Sequence, residues 1–151
     1  VCKETHDVEV SALRDELIKF FPYTNIITPN LPEAELLAQK ELRTLKDVKE
    51  TAKLLHSLGA KSVVIKGGNR LDVQKAIDVF YDGEQFQILK SPVLDKNNTG
   101  AGCTFASSIA SQLLLGKSTF DAVQISKKFV YQAIQHSDQY GVVQYEKESD
   151  A

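Results

Sequence analysis

An α/β layered domain with a mainly parallel sheet is the fold this sequence predicts. Three observations predict it. Segments with helical spacing alternate with short β-rich runs, one Asp-Gly hairpin signal interrupts that alternation, and two long apolar helices close the chain.

From Val8 to Phe21, the residues Val10, Leu13, Leu17, Ile18 and Phe21 recur at helical spacing, and Pro22 stops the pattern. Asn25 to Thr28 is short, β-rich and bounded by Pro29, which reads as a buried strand ending in a turn. Pro32 suits the first turn of a helix running through Ala38. A second helix spans Thr44 to Leu58, with Val48, Ala52 and Leu55 on one face and Gly59 as its stop. Ser62 to Lys66 is the next buried strand, ending in Gly67 and Gly68. Ala76 to Tyr81 and Gln85 to Leu89 flank Asp82 and Gly83, a hairpin signal and an antiparallel excursion. A Gly-rich loop then opens an apolar helix from about Cys103 to Leu115, closed by Gly116. Ser118 suits the cap of the last long helix, and the tail from Asp138 is polar and irregular.

The bulk composition narrows the function classes. With 151 residues, 42% hydrophobic and 25% charged, the chain can bury one substantial core. Eighteen basic against twenty acidic residues leave a net charge of −2 with no long run of either sign, so a nucleic-acid partner or an anionic membrane surface is not expected. No apolar run approaches the ~20 residues of a membrane-spanning helix, and no signal peptide opens the sequence, so a cytoplasmic location is expected. Cys2 and Cys103 have neither zinc spacing nor a disulfide framework. The sequence starts at Val1 and contains no methionine, which is the expectation for a segment of something longer.

Three places can carry chemistry. Thr99, Gly100, Ala101, Gly102, Cys103 and Thr104 lead directly into a helix. Glycines there let backbone N–H groups approach a ligand, and the helix dipole adds positive potential, as a phosphate or a phosphoryl transition state requires. A sulfur at that helix start meets the same positive end, which favours its thiolate. On spacing alone the loop is equally well read as a packing device with Cys103 as a small buried hydrophobe. Asn30 and Glu33 follow a strand at the edge where open α/β sheets bind ligands, and an amide oxygen with a carboxylate there can hold Mg²⁺ through waters. The same pair suits a helix cap, the reading that sequence physics slightly favours. Lys66, Gly67 and Gly68 can offer a cation and bare backbone to phosphate oxygens, or simply form a turn beside a solvated lysine.

Taken in order, the motifs Thr28-Pro29-Asn30-Leu31-Pro32-Glu33, Val64-Ile65-Lys66-Gly67-Gly68, Val79-Phe80-Tyr81-Asp82-Gly83 and Gly100-Ala101-Gly102-Cys103-Thr104 resemble one family. They resemble the C-terminal half of the ribokinase-superfamily vitamin kinases, which comprise hydroxymethylpyrimidine (phosphate) kinases and closely related bacterial pyridoxal (pyridoxine) kinases. The resemblance runs from about Val1 to Gln135. It implies a ribokinase-like layered fold in which residues 1–151 are a single ATP-binding and catalytic portion and the N-terminal half is absent. It also implies ATP and Mg²⁺ as cofactors, a small-molecule vitamin as substrate and a homodimer.

By the same resemblance, Asn30 and Glu33 support Mg²⁺, and Asn30, Lys66, Gly68 and Thr99 contact nucleotide or phosphate. Gly100, Ala101 and Gly102 form the anion hole, and Cys103 holds the catalytic base position, an aspartate in most relatives. Cys2 resembles a cysteine in a substrate lid of the pyridoxal-kinase-like members, which favours pyridoxal as substrate over hydroxymethylpyrimidine. A noncatalytic nucleotide-binding fragment is the reading from another class. One departure stands out: where the family has Thr-His-Gly before the loop, this chain has Asn98, Thr99 and Gly100.

Overall fold

The computed structural model describes residues 10–144, and the chain divides into two compact units, residues 1–93 and 94–151. Cys2 lies outside the described residues.

In the first unit, helix α1 (Val10–Phe20) runs into a short 3₁₀ turn (Phe21–Tyr23), so the helix ends where Pro22 removes a backbone donor. Helix α2 (Leu31–Ala38) and helix α3 (Leu45–Ser57) each begin in a reciprocal capping box, Asn30 with Glu33 and Thr44 with Asp47. Three hydrogen bonds fix Asp47: its carboxylate accepts from the Thr44 hydroxyl, the Thr44 N–H and the Arg43 N–H. Those donors, the Thr44 hydroxyl foremost, hold its pKa down at about 2.

Strands β1 (Val63–Lys66), β2 (Lys75–Tyr81) and β3 (Phe86–Pro92) form a three-stranded sheet in that order. Both pairings are antiparallel, with Val63 opposite Tyr81 and Tyr81 opposite Phe86. Here the structure corrects the mainly parallel expectation. Parallel pairing among the described residues is confined to Ile27 and Asn30, which bridge Val63 and Lys66. The strand expected at 25–28 is thus one isolated bridge at Ile27, with a second beyond it at Asn30, because Pro29 has no N–H to extend the ladder. Its bonds nonetheless alternate as a parallel pair requires: Ile27 N–H to Ser62 O, Val64 N–H to Ile27 O, and Lys66 N–H to Pro29 O.

The hairpin forms where Asp82 and Gly83 predict it, with the Asp82 carboxylate accepting from the Gln85 and Glu84 N–H groups, which lowers its pKa. The central strand β2 is buried from Ile77 to Tyr81. The core packs Leu31, Val48, Leu55, Val63, Ile65 and Val79, so the apolar faces of α2 and α3 close over one face of the sheet. Burying a side chain of this size contributes about 1.5–3 kcal/mol.

In the second unit, α4 (Ala101–Leu114) and α5 (Thr119–Gln135) pack as an antiparallel pair joined by a short turn through Gly116. Ser118 caps α5 by accepting from the Asp121 N–H. Phe105, Ile109, Ala122 and Val123 are buried, and the Ser126 hydroxyl donates to Ser108 at 2.8 Å. Residues 136–144, after α5, are irregular and are tied down by their own hydrogen bonds. No helix among the described residues is long and apolar enough to cross a membrane.

Candidate functional site

The first unit places Asn30, Glu33, Lys66 and Gly68 around one strand end. Asn30 is the N-cap of α2 and also bridges Lys66, the last residue of β1, so the cap and the lysine backbone are neighbours. The cap is made in both directions. The Glu33 N–H donates to Asn30 Oδ1 at 2.8 Å, and the Asn30 N–H donates to Glu33 Oε2 at 2.9 Å. Of the two readings open at this pair, the capping one is realised in the geometry. Beyond Lys66 the chain turns sharply: the Gly67 N–H donates to Ile77 O, and Gly68 O accepts from the Ile77 N–H.

The donor set bears on the metal. Among the described residues no three His, Cys, Asp or Glu side chains gather as a cage. Asn30 and Glu33 bring one amide and one carboxylate to a helix N-terminus. That set fits Mg²⁺ held through water, with phosphate oxygens completing its shell, and does not fit an all-protein site.

The second unit holds the whole Gly-rich loop. Gly100 is the N-cap of α4 at φ +85°, a left-handed conformation that side chains rarely adopt, so glycine suits the turn into the helix. Ala101, Gly102 and Cys103 follow as the first three helical residues. The Ala101 N–H closes a turn on Asn98 O at 3.0 Å. The Gly102 and Cys103 amides lie in the first turn, where a helix has no preceding acceptor, so they are the loop amides best suited to an anion. Cys103 is a free thiol and exposed, which removes the packing alternative for its side chain. It borders a cleft of about 580 Å³ between α4 and α5, lined also by Ser107, Ser111, Phe129 and Gln144.

Thr99 has both backbone groups engaged: its N–H donates to Asn97 Oδ1 and its carbonyl accepts from the Val142 N–H.

Sequence reasoning missed two sets of supporting residues. Glu35 on α2 accepts from the Leu42 N–H at 3.0 Å and from the Arg70 guanidinium at 3.3 Å, tying the turn after β1 to the capped helix. In the second unit, Asn97, Gly141 and Val142 hold the loop from outside it. Asp138 and Gly141 carried a turn signal. The partner of that turn, some forty residues away, left no local pattern.

Comparison with known proteins fits this geometry. The family described as Phosphomethylpyrimidine kinase matches residues 1–147. A pyridoxine kinase of Bacillus subtilis (strain 168) is 42% identical over 143 residues, covering 91% of this chain and 52% of the relative. A hydroxymethylpyrimidine/phosphomethylpyrimidine kinase of Aquifex aeolicus (strain VF5) is also 42% identical, over 133 residues that cover 87% and 51%. The solved structure of the pyridoxal kinase from Staphylococcus aureus in complex with AMP-PCP and pyridoxal superposes with a TM-score of 0.79 at 38% identity, covering 82% of this chain and 47% of that one. The chain spans about half the length of the curated relatives it matches. A match over nearly the whole sequence, to a family whose ordered motifs the structure sets on a capped helix, a strand end and a Gly-rich helix start, establishes that the chain belongs to the phosphomethylpyrimidine kinase family.

Proposed function

We propose that this chain is the ATP-binding, catalytic portion of an ATP- and Mg²⁺-dependent kinase that phosphorylates the hydroxymethyl group of a pyridoxal-type vitamin. The observation that carries this reading is the start of α4, where an exposed thiol and the Gly102 and Cys103 amides share one first turn. Phosphoryl transfer needs mainly positioning and charge stabilisation, with a base for the attacking hydroxyl. In this role the Cys103 thiolate accepts the hydroxyl proton as the oxygen attacks the γ-phosphorus and ADP leaves. Of the Gly100, Ala101 and Gly102 loop expected to form the anion hole, the Ala101 N–H is bonded to Asn98 O, so the Gly102 and Cys103 amides face the charge that develops on the transferred group. By resemblance, Asn30, Lys66 and Gly68 of the first unit and Thr99 of the second are each assigned to nucleotide phosphate, and Asn30 and Glu33 would hold Mg²⁺ through water. When bound, the ion neutralises phosphate charge. The resemblance alone assigns Cys2, outside the described residues, to a substrate lid.

Support for pyridoxal comes from the pyridoxine kinase relative and from the neighbour solved with an ATP analogue and pyridoxal. A second reading keeps the mechanism and takes hydroxymethylpyrimidine or its phosphate. The family description and the equally identical Aquifex relative favour it. A third reading is a nucleotide-binding fragment without turnover.

One pair of measurements separates them. The purified chain is titrated calorimetrically with Mg-ATP and then assayed for ADP release with pyridoxal and with hydroxymethylpyrimidine. Faster turnover of pyridoxal is the expected result. Faster turnover of hydroxymethylpyrimidine selects the second reading, and Mg-ATP binding without turnover selects the third. Absence of Mg-ATP binding rejects the nucleotide site.

A further inference from the structure

Residues 136–144, after α5, are irregular, yet they are stitched to the Gly-rich loop at several points. Asp138 starts a tight turn in which its carboxylate accepts from the Tyr140 N–H at 2.7 Å and the Gly141 N–H at 3.2 Å, while its own N–H donates to Gly141 O. The turn aims the Val142 N–H at Thr99 O, 3.0 Å away. Asn97 works from the other side: its Oδ1 accepts from the Thr99 N–H, and its Nδ2 donates to Asp138 O, both at 3.0 Å. One amide side chain thus links the loop to the turn. Farther along, Gln144 Nε2 donates to the hydroxyl of Thr104, a buried residue in the first turns of α4. The Val143 N–H anchors the segment to Ala133 O near the end of α5.

Gly141 is the point of closest approach. A Cβ built on it would lie 2.6 Å from Thr99 O, a backbone atom with no rotamer to retreat to, and its φ of +148° lies where side chains are strained. Val142 is the nearest neighbour of a Cβ placed on Gly100, at 3.6 Å.

We infer that residues Asp138–Gln144 form a strap that positions the Thr99–Cys103 loop, with Gly141 and Asn97 as its positioning residues. This deepens the proposed function and rests on it for the identity of the ligand. A loop that must aim two amides and a thiol gains from being fixed before ligand arrives, and a misplacement of about 1 Å can forfeit a large factor in rate or affinity. The strap holds the Thr99 C=O through the Val142 N–H, and Asn97, whose Nδ2 donates to the strap at Asp138 O, accepts from the Thr99 N–H with its side chain.

The test is amide hydrogen exchange on the 151-residue chain, with calorimetric titration of Mg-ATP as a second readout. In Gly141→Ala, exchange at residues 99–103 should quicken roughly tenfold or more, with α5 protection unchanged and Mg-ATP bound roughly tenfold more weakly. If Gly141→Ala unfolds the unit, the asparagine variants decide. Asn97→Asp keeps the acceptor for Thr99 and loses the donor to Asp138, so it should loosen residues 99–103 nearly as much as Asn97→Ala. Wild-type exchange in Asn97→Asp beside fast exchange in Asn97→Ala would mean the loop is held locally, and it overturns the strap. Equal quickening throughout α5 would also overturn it, since the effect would then be general destabilisation. If the wild-type chain binds no Mg-ATP, the nucleotide reading fails while the exchange comparison still decides the strap.

Discussion

Asn30 and Glu33 satisfy each other's backbone: each side chain accepts the other's N–H, at 2.8 and 2.9 Å. A pair assigned to metal by resemblance is therefore also a structural cap, and the two roles can be separated by substitution.

Asn30→Ala removes the acceptor for the Glu33 N–H and should destabilise the chain by about 1 kcal/mol. Glu33→Gln keeps an acceptor at the third helical position, which a capping box tolerates, so its stability should stay close to wild type. If the pair also holds Mg²⁺, that variant should need several-fold more Mg²⁺ for the same nucleotide affinity. Urea denaturation with Mg²⁺ titration reads both. An unchanged Mg²⁺ requirement in Glu33→Gln leaves the pair as a cap alone.

Cys103→Ala should slow the chemical step by on the order of 10²–10⁴-fold, the usual contribution of a general base. Mg-ATP affinity should hardly move, because the loop amides remain. Single-turnover kinetics beside calorimetry make the comparison, and near-normal turnover in the variant removes the base assignment.

The cap of α3 gives a pH prediction. Asp47 has a folded pKa of about 2 against an ordinary 3.8, so it binds a proton less readily folded than unfolded. Its contribution to stability is fully present above about pH 4 and fades as pH falls towards 2. The wild-type chain should therefore lose more stability across that window than Asp47→Asn, which has no carboxylate to protonate. Denaturant midpoints at pH 4.5 and pH 2.5 test it. Equal losses in the two proteins would show that the cap does not contribute to acid sensitivity.

Gly67→Ala should be far more damaging than an average exposed-turn substitution. A Cβ there would sit 2.3 Å from Ile77 O, the same oxygen that accepts the Gly67 N–H. Ile77 O is a backbone atom of the paired strand β2 and cannot retreat, so the turn must open, at a cost of about 2–4 kcal/mol. The denaturation midpoint reads this. A shift no larger than an ordinary surface change would show that the turn is looser than its geometry.

Much of the fold was legible because its causes are local. Thr44 and Asp47 sit three apart at the start of α3, Pro22 ends α1, Asp82 and Gly83 make the hairpin, and Ser118 caps α5. Each depends on neighbours within a few residues. The run at 25–28 has the β propensity of a strand, yet it bridges only at Ile27, since ladder formation depends on a partner far along the chain.

The candidate site divides along the same line. Sequence by itself determined the family, through four ordered motifs, and the chemistry on offer: a thiol after a Gly-rich turn, a lysine at a strand end, and an amide with a carboxylate one helical turn apart. Only the tertiary structure decided that Asn30 and Glu33 cap α2, that the Ala101 N–H is held by Asn98, and that Thr99 is gripped by Asn97 and Val142. The physical reason is the range of the interactions. Periodicity, capping and turn chemistry act over one to five residues and leave a pattern in sequence, whereas Val142 N–H to Thr99 O joins backbone groups that any residue carries, at a distance along the chain no pattern encodes.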